Sequence, residues 1–375
     1  MPPSPDSCFA VRDTLTNSRI RIAREKKARV AFLGGSITEA NGWRVFTAEM
    51  LKKRFPDTQF DIVNAGISST DSTLAPFRLE EHVFARGPVD LLFFEFAVND
   101  QHNSRTPTES IRGVEGIIRR ARALNPAIDL VILYCCDPVK MNFIRKGQVP
   151  PRIVPHEKVA KYYSIPAIDL ATEVTLRVDG GEFPWKKFGG LHPSPFGHQL
   201  YARSIGRLLD AAWKKPLAAD AQVKPHPMPE KPLDPLHYGR GRFIALEKAT
   251  LVNGWSLVAK WKATRGHTRR QFVNCPMLVA EKPGATLKLA FTGTAVGLLE
   301  VAGFDVGVIE FSIDGGPFRR LDQFTQWSGG LHIPWAYLLD AGLEPGPHEL
   351  TLRTTDAKNP KSLGHACRIV RFLAN

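Results

Sequence analysis

Residues 30–46 read VAFLGGSITEANGWRVF. The opening run is continuously apolar, as a strand covered on both faces is. Beyond Gly34-Gly35, Trp43, Phe46 and Met50 fall at helical spacing. The chain therefore leaves a sheet at the two glycines and enters a helix through Ser36, which puts that hydroxyl at the mouth of the sheet. Serine in this place is commonly no more than a helix N-cap. Other glycine-loop chemistries fail on residue identity. The stretch lacks the lysine of a phosphate-cradling GxxxxGK[ST] loop and the spacing of the dinucleotide GxGxxG fingerprint. It also lacks the second glycine of a GxSxG nucleophile elbow, because position 38 is Thr.

Outward from this stretch, apolar runs alternate with helical patterns. ARVAFLG, TQFDIVNAG, VDLLFFEFAVND, DLVILYCC and PAIDL read as five buried strands. Between them, Thr106 can cap a helix with Pro107 at its first position and Glu109 completing a capping box. Ile111, Val114, Ile118 and Ala121 share one stripe of that helix, and another helix runs from Pro195 or Phe196 to about Trp213. The alternation predicts an α/β fold, a doubly wound parallel sheet flanked by helices, with ligands at the carboxyl ends of the strands.

After residue 214 the composition changes. Pro216, Pro225, Pro227, Pro229, Pro232 and Pro235 forbid helix and favour an extended connector. Beyond it ATLKLAFTG, VGVIEFSIDGG, HELTLRTT and CRIVRFLAN alternate with period two, and Asp314-Gly315 is a hairpin-turn signal. The expected organisation is an N-terminal extension (1–27), an α/β domain (28–214), a Pro-rich linker (215–239) and an all-β sandwich of jelly-roll type (240–375).

The net charge of +13 is spread over scattered basic pairs such as Arg119-Arg120 and Arg319-Arg320, not a basic tract. This argues for a solvated basic surface and against a nucleic-acid partner. Five cysteines, two of them adjacent in an apolar run, make neither a disulfide framework nor the CxxC pairs of a structural zinc site. No signal peptide is visible, and no apolar run reaches the ~18 residues of a membrane span. The sequence as written reads as cytoplasmic, or as periplasmic or secreted if an export signal has been removed. Histidines are isolated in sequence, so neither metal nor cofactor is expected.

What raises Ser36 above a cap is its company. Gly66 follows the second strand, Asn99 closes the third, and His192 in GLHPSPFGH precedes the last helix, all at one sheet edge. A serine nucleophile needs a base to take its proton and donors for the oxyanion that develops on the attacked carbonyl. His192 supplies the base; the Ser36 N–H, the Gly66 N–H and the Asn99 amide supply the donors.

These four blocks, in this order, resemble the SGNH (GDSL-type) hydrolases, named for their Ser, Gly, Asn and His. The resemblance spans roughly residues 28–213 and implies a flavodoxin-like three-layer fold in which Ser36, Gly66, Asn99 and His192 take those four roles. Two departures stand out: AVND carries Ala97 where the third block has glycine, and the DxxH block carries Gly189 where the histidine-orienting Asp belongs. Three readings of Gly189 stay open. Catalysis runs as a Ser–His dyad with a backbone carbonyl as third partner, as in some carbohydrate esterases; a carboxylate such as Glu182, Asp169 or Asp137 leans in; or hydrolysis is lost and a carbohydrate-binding protein remains on a degenerate fold.

Within this family, LGGSIT and GWR followed by a C-terminal β-domain resemble proteins from bacterial polysaccharide-degrading systems. The resemblance therefore implies removal of O-acetyl groups from an oligo- or polysaccharide, with a lipid or thioester hydrolase as the alternative. Aromatics of the β-domain, among them Trp255, Trp261 and Phe304, can stack on sugar faces. DQFTQWSGGLHIPW reads as a loop and makes Trp327, His332 and Trp335 the leading candidates for substrate contact. Arg44 and Arg78 are further candidates, for which ion pairing on a helix surface is the ordinary reading.

Overall fold

Strands that are apolar on both sides need cover on both faces, and the order in which they assemble decides where a crevice opens. The computed structural model describes residues 5–375, and the chain divides into two units, Met1–Gly239 and Arg240–Asn375. The first holds β1 (Phe9–Ala10), β2 (Lys27–Gly34), β3 (Gln59–Gly66), β4 (Leu91–Phe94), β5 (Asp129–Leu133) and β6 (Ala167–Ile168) in the order β1-β6-β5-β4-β2-β3. All neighbours are parallel except β1, which runs antiparallel to β6. The parallel core has the flavodoxin-like order, whose switch point lies between its first and third strands, here β2 and β4. Ser36 follows β2 and Asn99 follows β4.

The helices are α1 (Thr16–Arg19), α2 (Ser36–Glu39), α3 (Trp43–Arg54), α4 (Ala75–His82), α5 (Ala97–His102), α6 (Pro107–Leu124), α7 (Pro138–Arg145), α8 (Ile153–Tyr162), α9 (Leu170–Asp179), α10 (Trp185–Phe188) and α11 (Pro195–Ala212). The capping box of α6 forms as the sequence predicts: Thr106 accepts the Glu109 N–H while the Glu109 side chain accepts the Thr106 N–H. Trp43 is fully buried and meets the stacked rings of Phe32 and Phe93 edge-on, at 5.2 and 6.4 Å. That contact pins α3, and with it the short turn of α2, to the two strands flanking the switch point.

Two sequence expectations change in detail. The third apolar run leaves the sheet at Phe94, so Asn99 and Asp100 stand on α5 and not on the strand. The N-terminal residues supply the edge strand β1, and the Ser18 N–H donates to the buried Asp129 at 2.7 Å. The Pro-rich residues 215–239 carry no helix, but they lie along the first unit as a strap. His226 bonds Asp129 at 2.8 Å, the N–H groups of Leu233 and Asp234 donate to the buried Glu115 at 2.7 and 2.9 Å, and Tyr238 packs on Phe77.

The second unit is a sandwich of antiparallel sheets. Its strands are β7 (Arg242–Ile244), β8 (Ala249–Asn253), β9 (Ser256–Val258), β10 (Met277–Ala280), β11 (Thr286–Gly293), β12 (Val296–Ala302), β13 (Val308–Ile313), β14 (Arg319–Asp322), β15 (Ile333–Asp340), β16 (Gly346–Thr354) and β17 (Cys367–Ala374). One sheet runs β15-β12-β17-β10-β9 with β7 added to β17, and the other runs β14-β13-β16-β11-β8. Leu298, Ile369 and Phe372 of the first meet Leu289, Phe311 and Leu352 of the second in one core. Among the described residues no helix is long and apolar enough to cross a membrane.

Candidate active site

The last residues of β2 and β3, Gly34 and Gly66, are paired in register. From Gly34 the chain turns through Gly35 into α2, whose first residue is Ser36. A Cβ on Gly35 would fall 2.6 Å from Asn99 Oδ1 and 2.8 Å from Nδ2, so only glycine lets the Asn99 amide lie against the backbone beside Ser36. On the other side of α2, a Cβ on Gly66 would fall 2.3 Å from the Glu39 nitrogen.

His192 arrives from the loop between α10 and α11, 156 residues away in sequence, and its Nε2 stands 2.9 Å from Ser36 Oγ. The loop is held by the Ser194 N–H donating to Phe188 O and by Ser194 Oγ donating to Lys187 O, each at 2.7 Å. Gly189 takes a φ of +107°, and a Cβ there would fall 2.0 Å from the Ser194 nitrogen. The loop thus has no room for an aspartate at this position, which gives the missing DxxH acid a steric reason.

Of the four residues predicted to form the centre, three converge directly: Ser36, His192 and Asn99. Gly66 is adjacent, but its N–H donates to Asn64 Oδ1 at 3.0 Å. The three carboxylates considered as partners for His192 are engaged elsewhere. Glu182 pairs with Arg177, Asp169 caps α9 through Thr172, and the fully buried Asp137 caps α7 and pairs with Lys140.

Residues 32–200 match the GDSL-like Lipase/Acylhydrolase family. The match lies within the first unit and covers less than half of the chain. No curated protein matches the sequence significantly. Among solved structures, a two-domain esterase (CEX) active on acetylated mannans, crystallised with mannopentaose, aligns with a TM-score of 0.77 at 21% identity, covering 99% of this chain and 97% of that one. A second structure of a two-domain esterase (CEX) active on acetylated mannans aligns with a TM-score of 0.78 at 21% identity, covering 99% and 98%. At this identity the likeness is one of fold.

Around the centre lie polar groups that the sequence reading left out. Glu95, one residue beyond β4, is fully buried; its Oε1 accepts the Gly35 N–H at 3.0 Å and the Thr38 hydroxyl at 2.7 Å. Burial pushes its carboxyl up to about 7 against those two hydrogen bonds. Behind Asn99, Asp100 accepts the Ser72 N–H and hydroxyl and bonds His156, all three side chains being fully buried. Burial alone would raise Asp100, but His156 and Ser72 hold it below the usual carboxylate range. This network fixes α5 and so the amide of Asn99. An acid inside the all-apolar run LLFFEF was the available signal for Glu95, since carboxylates are almost never fully buried without partners.

The two arginine candidates turn inward. Arg44 donates to Thr38 O and Asn41 Oδ1, closing the end of α2. Arg78 is fully buried and donates to Ala65 O and Gly34 O, at 2.6 and 3.1 Å, beneath the two strand ends and without the expected pairing to Glu80 or Glu81. In the second unit Trp327 is partly exposed on a turn, and Trp335 stands on β15 opposite Glu300, not in a loop. His332 is buried between the edges of Trp261 and Phe304, each at 5.4 Å, and burial lowers its pKa. Among the described residues no cluster of His, Cys, Asp and Glu is arranged to hold a metal ion.

Proposed function

We propose that the chain is a serine esterase that removes O-acetyl groups from an oligo- or polysaccharide through an acyl-serine intermediate. The carrying observation is the 2.9 Å contact between Ser36 Oγ and His192 Nε2 beside the amide of Asn99. His192 Nε2 takes the Ser36 proton as Oγ attacks the ester carbonyl, then returns it to the departing sugar hydroxyl. The oxyanion rests on the Ser36 N–H and the Asn99 amide, joined by the Gly66 N–H once Asn64 yields it. Water, deprotonated by the same imidazole, releases the acyl group. Gly189 cannot carry the acid that orients the imidazole in a DxxH block, and Ser36 and His192 carry the proton transfers.

The choice of an acetylated polysaccharide is supported by the CEX esterase, active on acetylated mannans, whose fold matches along 99% of this chain. Acetate release from a panel of acetylated mannans, xylans and pectins, alongside p-nitrophenyl esters from acetyl to palmitoyl, tests the reading. Acetate release with rates falling beyond short acyl chains is expected. A preference for long chains without acetate release would make it a lipid hydrolase instead. In the same assay Asn99→Ala lowers kcat by about 10²–10³, the usual worth of one oxyanion donor, with folding intact by circular dichroism. Undiminished turnover in that variant would remove Asn99 from the mechanism.

A further inference from the structure

The peptide group that joins Gly34 to Gly35 lies directly before the proposed nucleophile, and its two polar ends are held by a buried guanidinium and a buried carboxyl. Its carbonyl oxygen accepts from Arg78 Nη2 at 3.1 Å and from the Ile67 N–H at 3.0 Å. Its N–H donates to Glu95 Oε1 at 3.0 Å, and the same oxygen accepts the hydroxyl of Thr38, two residues past Ser36. Arg78 Nη1 extends the hold to Ala65 O, one residue before Gly66.

Two features set this apart from ordinary scaffold. Gly34 and Gly35 are both required by close approach: a Cβ on Gly34 would fall 2.2 Å from Thr38 Oγ1 and 2.3 Å from Glu95 Oε1, and Gly35 makes room for Asn99. A double glycine at a strand end is the most permissive backbone a chain can have, and something must fix it if the next residue is to be placed within tenths of an ångström. Moreover, no hydrogen bond joins the two side chains, although Glu95 lies within electrostatic range of Arg78. Arg78 Nε and Glu95 Oε2 have no hydrogen-bond partner among the described residues, and each group's bonds go to the backbone or to Thr38. Burying two ionisable groups in this way is expensive, and apolar residues would serve stability better. Lys140 and Asp100 are the other charged groups in electrostatic range of Glu95, and Asp71 lies in range of Arg78.

We propose that Glu95 and Arg78 are positioning residues that lock the Gly34–Gly35 peptide plane and thereby aim Ser36 Oγ at His192. This rests on Ser36 being the nucleophile. The pair touches neither substrate nor reacting atoms; it sets the geometry of the group that does.

The test measures kcat and KM on p-nitrophenyl acetate, normalised to active sites titrated with a fluorophosphonate, together with the melting temperature. Glu95→Ala lowers kcat per titrated site on the order of 10²-fold, the penalty typical of displacing a reacting group by about 1 Å, with KM little changed. Glu95→Gln, whose side-chain oxygen can accept both hydrogen bonds, returns kcat to within about tenfold of wild type. Thr38→Val and Arg78→Lys, each removing part of the grip, lower kcat to intermediate values. Equal losses in Glu95→Gln and Glu95→Ala, or changes confined to melting temperature and titratable fraction, would overturn the proposal. If Glu95→Ala does not fold, Thr38→Val decides: wild-type kcat in that variant also overturns it. Ser36→Ala separates the two levels. Activity surviving in Ser36→Ala defeats the esterase reading itself, whereas inactive Ser36→Ala beside wild-type kcat in the Glu95 and Thr38 variants defeats only the positioning roles.

Discussion

Ser36→Ala, His192→Ala and the double variant all lower kcat on p-nitrophenyl acetate by a similar factor, on the order of 10⁴–10⁶. Near-equal losses are expected because the two side chains act as one unit: a serine without its base is a poor nucleophile at neutral pH, and an imidazole without the hydroxyl has nothing to deprotonate. If their contributions were independent, the double variant would show the product of the single losses. The 2.9 Å contact favours the first outcome. Gly189 sharpens the expectation. In a full triad part of the rate enhancement belongs to the acid that orients the imidazole. Here the backbone at 189, with a φ of +107° and the Ser194 nitrogen 2.0 Å from where a Cβ would sit, excludes that acid. The expected loss on removing His192 therefore includes no contribution from an acid at position 189. A His192→Ala variant within tenfold of wild type would mean that another group activates Ser36, and the proposed mechanism would fall.

Much of this was legible in the residues, and what was not has physical reasons. The five parallel strands were readable because strands buried on both faces must be apolar throughout, and α6 was readable because Thr106, Pro107 and Glu109 each have a local job at a helix start. Ser36, Asn99 and His192 could be brought together on paper because strand ends in a parallel sheet share one edge. Lost to the sequence were features decided by tertiary contact alone. The edge strand β1 is two residues long, too short for any period to show. Arg78 reads as a surface helix residue, and only the packing of α4 against the sheet turns its guanidinium onto backbone carbonyls. Trp335 stands on a strand whose neighbouring glycines made it look like loop. Proline density correctly excluded helix from 215–239, but extended backbone does not tell whether a segment floats or docks.

That docking leads to the other large expected effect. In the 375-residue chain, replacing residues 215–239 by a Gly/Ser stretch of equal length prevents the first unit from folding stably, with loss of its cooperative thermal transition and of esterase activity. The strap completes the hydrogen bonding of two buried carboxylates that Ser18, Tyr163 and Arg119 satisfy only in part. Asp129, fully buried on β5, bonds His226, and Glu115, fully buried on α6, accepts two strap N–H groups. Stripping a partner from a buried charge costs about 3–5 kcal/mol each. Two such losses approach the whole stability of an ordinary domain, about 5–15 kcal/mol, before the packing of Tyr238 on Phe77 or the bonds of Arg119 and Arg122 to Pro229 O and Pro227 O are counted. The His226 latch adds a pH signature. Burial alone would lower its pKa, but the hydrogen bonds it donates to Asp129 and Asp13 push it up to about 9. A folded value above the unfolded one, near 6.5, means the latch contributes fully below that pH and its contribution is lost as pH rises through about 9. Wild type therefore loses more stability between those pH values than His226→Gln does, when both are followed by thermal melts. A Gly/Ser replacement that melts and turns over like wild type would show that buried Asp129 and Glu115 find other partners, and would return residues 215–239 to the status of a tether.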